Sequence, residues 1–116
     1  MKNKPIVLER SEMFALQVIE CYKEMKNQHE FILSKQLLRS GTSNGANVNE
    51  AQAAISKRDF IFKMSIASKE ACETQYWLKL CAKSNIVIFD FDPLINEANQ
   101  LIKMLTSIVK TSQLNS

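Results

Sequence analysis

The chain has 116 residues, 46% of them apolar, with a net charge of +3 and only 2 Gly and 2 Pro, a length that fits one domain. So few breakers exclude an all-β domain, which needs a turn at every strand end, and the apolar content with modest charge excludes disorder. The longest aliphatic and aromatic run, Ile86-Val87-Ile88-Phe89, is far short of a membrane span. The short basic start lacks a signal-peptide core, so the expectation is a cytoplasmic protein with no membrane partner.

Helical periodicity dominates the pattern. A first helix is expected over about 8–26, with Phe14, Val18, Cys21, Tyr22 and Met25 on one face. Residues 27–30 are a polar break that holds the lone histidine, His29, read as solvated loop. A second helix is expected over about 31–54, with Leu33, Leu37 and Leu38 toward the core. Its second half, from Ser40 to Glu50, carries two Gly and several Ser and Asn, residues that disfavour a helix interior. We read it as helix all the same, because small residues suit a place where another backbone must come close.

Ser56 followed by Asp59 resembles a capping box and starts a third helix over about 57–83, with Phe60, Met64, Ala67, Ala71, Leu78 and Cys81 on one face. Asp92-Pro93 reads as a cap followed by Pro at the first helical position. It opens a fourth helix over about 93–111 with a Leu94, Ala98, Leu101, Leu105, Ile108 stripe. Residues 86–91 have strand propensity but no second strand to pair with, so they are expected to cover the end of the bundle. The fold class expected is all-α, an antiparallel up-down four-helix bundle in one domain over 1–116.

The middle of the chain resembles a known family. Residues 34–43, Ser-Lys-Gln-Leu-Leu-Arg-Ser-Gly-Thr-Ser, and 45–51, Gly-Ala-Asn-Val-Asn-Glu-Ala, look like the second helix of the four-helix-bundle proteins also called 23S rRNA intervening-sequence proteins. Lys57, Asp59-Phe60, residues 67–71, Glu73-Thr74 and residues 76–78 resemble its third helix. Asn44 departs from it, standing where the family usually has an aliphatic residue. The resemblance implies a homopentameric ring. It also implies kinship with the accessory protein of diversity-generating retroelements, whose partners are nucleic acid and a reverse transcriptase. No biochemical activity is implied for most members.

Chemistry-bearing motifs are missing. With one histidine the chain cannot supply a Glu-x-x-His di-metal bundle, and it has no P-loop, dinucleotide fingerprint or G-x-S-x-G. Cys21, Cys72 and Cys81 lack metal or redox spacing and read as reduced, packed side chains. Glu70 and Glu73, at i, i+3, read as structural. No enzyme, catalytic residue, metal or cofactor is expected.

Charge is uneven: residues 31–84 hold eight basic against four acidic residues. Lys35, Lys57, Arg58, Lys63, Lys79 and Lys83 are the candidate contacts to RNA or DNA, directed at the backbone because no aromatic interleaving is apparent. Lys57 and Arg58 lead, at a helix start that favours phosphate. Arg39 and Lys69 are assigned instead to acidic partners. Antiparallel second and third helices should face each other at positions totalling about 111. That register makes Arg39, Ser43, Asn47, Ser68, Glu70 and Glu73 a polar network: Arg39 pairs with Glu73 or Glu70, Ser43 and Asn47 bond across or back to helix carbonyls, and a buried Arg39 would cost about 3–5 kcal/mol to truncate. Phe62, Tyr76 and Trp77 cannot all enter one core, so they are assigned to a subunit contact. The functional expectation is an oligomeric nucleic-acid accessory, with a protein-only scaffold as the alternative.

Overall fold

Four helices account for most of the computed structural model, which describes residues 5–115: α1 Ile6–Asn27, α2 Leu33–Ala51, α3 Lys57–Ser84 and α4 Asp92–Leu114. Each packs on its sequence neighbour, and α1 also packs on α4, which closes the ring. This is an antiparallel up-down four-helix bundle. At 1.5 Å per residue α3 is about 42 Å long, nearly the whole 46 Å axis of the molecule.

The core is built from the expected stripes. Phe14, Val18, Cys21 and Met25 of α1 meet Leu37 and Val48 of α2, Met64, Ala67, Ala71, Leu78 and Cys81 of α3, and Leu94, Ala98, Leu101 and Leu105 of α4. Tyr22, Phe60 and Ile108 stay only partly buried.

The small-residue half of α2 is unbroken helix. Its reason is α1, which comes so close that a Cβ on Gly41 would lie 2.7 Å from a Val18 methyl, and one on Gly45 would lie 3.2 Å from the Ser11 carbonyl oxygen.

Several helix ends differ from the sequence expectation. α2 begins at Leu33 rather than 31 because Glu30 turns its carboxylate onto the new helix, accepting the Ser34 N–H at 2.7 Å and the Ile32 N–H at 3.3 Å. Before it, α1 ends with His29 in the left-handed region, φ 66°. The Glu30 N–H returns to the Met25 carbonyl and the His29 N–H to the Lys26 carbonyl, a Schellman closure.

α2 stops at Ala51, three residues early, in a turn that leaves Ile55 exposed. α3 starts as expected: the Ser56 hydroxyl accepts the Asp59 N–H, and the Asp59 carboxylate accepts the Ile55 N–H. At α4 the carboxylate that meets the helix start is Asp90, which accepts the Asp92 N–H, not Asp92 itself. The helix then runs on past 111 to Leu114.

The α3–α4 connection caps one end of the bundle with Val87 and Phe91 buried. The side-chain amide of Gln28 holds it, donating to the Ile88 carbonyl and accepting the Ile88 N–H, both at 2.8 Å.

Candidate nucleic-acid interface

α3 turns one continuous face to solvent. Arg58, Phe62, Ser65, Lys69, Cys72, Tyr76, Lys79 and Lys83 are all exposed. They follow one another at steps of four and three residues, which keeps them on one side of a helix. The face runs about 38 Å. It holds four cations and no acid, and none of the four is in an ion pair or hydrogen bond among the described residues. Phe62 and Tyr76 stand among them, 60% and 58% exposed. The cations are therefore interleaved with aromatic residues after all. The three-and-four spacing that shows this lies in the sequence; grouping the residues by charge alone hid it. Lys69, assigned to an acidic partner, stands free on this face.

The remaining candidate cations divide. Lys79 and Lys83 belong to the face. Lys57 leans away and donates to the Asn115 carbonyl. Lys63 spans the α2–α3 seam to Glu50 at 3.0 Å, so it is already committed. Lys35 is exposed on α2, beside Tyr22, Lys26 and Phe31 at the bundle end. The α3 start offers less to an anion than its position implied, because the Ser56–Asp59 cap occupies one N–H and adds a carboxylate.

Behind the face lies the α2–α3 seam. The Arg39 guanidinium reaches Glu70 at 3.3 Å and also Glu73, and the Glu73 carboxylate accepts the Trp77 indole N–H at 3.0 Å. Trp77 is thereby packed inward against the core and does not share the exposure of Phe62 and Tyr76. Deeper in the seam, Thr74 donates to Ser40 at 2.9 Å and Asn44 donates to the Ala67 carbonyl at 2.8 Å.

The expected polar network is partly within α2 and partly across the seam. Asn47 donates back to the Ser43 carbonyl and hydroxyl within α2. Ser68 lines the α3–α4 groove with Ser65, Thr106 and Lys110. Asn47 thus takes the expected form that bonds back to a helix carbonyl, and the uncharged polar pairs that cross to α3 are Ser40 with Thr74 and Asn44 with Ala67.

Cys21 and Cys81 are buried as expected, whereas Cys72 is exposed on the α3 face. Burial pushes the Cys21 thiol up to about 12 and the Cys81 thiol up to about 11. Neither is poised as a nucleophile, which requires a lowered pKa. No three His, Cys, Asp or Glu side chains among the described residues are grouped to hold a metal. No helix there is long and apolar enough to cross a membrane.

Comparison with known proteins matches residues 3–107 to the model of the 23S rRNA-intervening sequence protein family. The chain belongs to that family. A solved structure from Bacteroides thetaiotaomicron, described as a protein with unknown function from the S23 ribosomal protein family, is 44% identical. It superposes with a TM-score of 0.87, over 90% of this chain and 99% of that one. Among curated proteins none matches. Membership of the intervening-sequence family agrees with the two motifs on α2 and α3. Asn44, the departure from that pattern, is buried at the centre of the seam with its Oδ1 unpartnered.

Proposed function

We propose that this intervening-sequence protein is a non-enzymatic binding module that holds nucleic-acid backbone along the outer face of α3. One observation carries the reading: Arg58, Lys69, Lys79 and Lys83 lie along about 38 Å of one helix face with no acid among them, the charge footprint of a phosphate-binding surface. The family's name, which ties it to an insertion in ribosomal RNA, supports it.

Neutralising about four phosphates makes log affinity fall with log salt at a slope of about −3.6 on duplex DNA and about −2.8 on single strands. Measuring RNA and DNA binding across a salt series tests this. Replacing Arg58, Lys69, Lys79 and Lys83 together by Gln should flatten the slope, while Lys35→Gln/Lys57→Gln/Lys63→Gln should leave most of it. The opposite ranking moves the site off the α3 face, and no retention at low salt removes the reading.

A second reading, a self-assembling scaffold, has its own observation. α1 exposes Glu9, Glu12 and Glu20 beside Ile6, Met13 and Leu16. The α3 face of one copy fits the α1 face of the next in charge and in apolar content, a head-to-tail contact that closes into a ring or runs on as a filament. By the family resemblance the ring is a pentamer that serves as accessory to an enzyme such as a reverse transcriptase. A monomer mass by light scattering at micromolar concentration removes that reading.

A further inference from the structure

Phe62 and Tyr76 are unexplained by the bundle. Both are large, both are more than half exposed, and neither belongs to the core or packs against it. They share the face of Arg58, Lys69, Lys79 and Lys83, so each ring has cations before and after it along the helix. The 14-residue separation puts them about 21 Å apart, the rise of about six nucleotides at 3.4 Å each. Tyr76 is also held in place: its ring meets Trp77 edge-on, with centroids 5.2 Å apart at 67°, and Trp77 is anchored by its hydrogen bond to Glu73.

We infer that the α3 face takes single-stranded nucleic acid, with unpaired bases stacked on Phe62 and Tyr76 while Arg58, Lys69, Lys79 and Lys83 follow the phosphates. This rests on the α3 binding reading above and names the class of strand it accepts. A duplex presents its phosphates to the cations but keeps its base faces inside, so it leaves both rings in water. An unpaired strand offers a π-face at every base, and stacking on exposed aromatic rings is indifferent to which base it is. The chemistry therefore selects for strandedness and not for sequence.

The test compares an oligodeoxythymidylate of about 20 nucleotides, too uniform to pair, with a hairpin duplex of equal charge. Anisotropy at low salt reports affinity, and the fluorescence of Trp77, the only tryptophan, reports a base arriving beside Tyr76. The single strand should bind more tightly and change the tryptophan emission.

Phe62→Ala/Tyr76→Ala should weaken the single strand by about tenfold or more and the duplex by no more than about twofold. Phe62→Tyr/Tyr76→Phe, which keeps both rings, should restore single-strand affinity. Equal binding of both strands, unchanged by the alanine pair, overturns the stacking inference and leaves the α3 reading standing. So does an alanine pair that lowers the oligomer mass without lowering affinity per subunit, since the rings are then a subunit contact. Binding of neither strand overturns the α3 reading itself, and the inference with it.

Discussion

Asn44 shows how one side chain can serve the fold at a cost. Its amide nitrogen ties α2 to the Ala67 carbonyl of α3, while its Oδ1 is buried with no partner among the described residues. A bond of this kind is worth about 0.5–1.5 kcal/mol net, whereas an unsatisfied buried polar atom costs about 1–3 kcal/mol. Asn44→Leu, close in shape, should therefore stabilise the bundle by about 1 kcal/mol, visible as a raised denaturation midpoint with an unchanged slope. The two buried thiols respond to pH. Loss of solvation, the largest cause, raises Cys21 to about 12 and Cys81 to about 11, each from 9.0. The unfolded chain ionises these groups first, so their stabilising effect is complete below about pH 9 and is lost as pH climbs toward 11 and 12. The slope is about 1.4 kcal/mol per pH unit for each thiol. Denaturation curves between pH 8 and about pH 11 should fall less steeply for Cys21→Ala/Cys81→Ala than for the wild type.

At the scale of the element, α3 carries three separate tasks on three sides: a core stripe, the polar seam with α2, and the outer face. The seam's ion pair is more open than its register implied. The Arg39 side chain is 51% exposed and the Glu70 side chain 11%. The loss on truncation therefore drops from that of a buried pair to about 1–2 kcal/mol, chiefly from Glu70 losing its countercharge. Arg39→Ala should lower stability by that amount, and Arg39→Ala/Glu70→Gln should lose less than Arg39→Ala and Glu70→Gln added together; a double loss equal to that sum would show no coupling. The helices themselves were legible in the chain because their core residues repeat at three and four, and Ser56 with Asp59 announced a start. What stayed hidden was reach. Glu30 caps a helix from outside it, and Gln28 clasps Ile88 across 60 residues. The candidate face is hidden differently: its three-and-four spacing is in the sequence, but it shows only when Lys69 is read by position and not by charge.

For the whole molecule, three of the four helix pairings join neighbours in sequence, and only α1 with α4 joins distant segments. Arg10 bridges that seam to Glu97, with contacts of 2.6 and 3.0 Å to the two carboxylate oxygens. The ring of helices is therefore a folded strip with one latch. Chains dominated by local contacts cross their folding barrier in microseconds to milliseconds, and the latch, which needs the full length of chain to be in place, belongs to the last step. Arg10→Ala should then quicken unfolding several-fold and leave the folding rate nearly unchanged, a φ-value near zero in stopped-flow chevrons. Core truncation in the α2–α3 hairpin, such as Leu37→Ala, should instead slow folding. Spontaneous opening begins where the chain closed last, so in native-state hydrogen exchange the amides along the α1–α4 seam should be released ahead of those between α2 and α3.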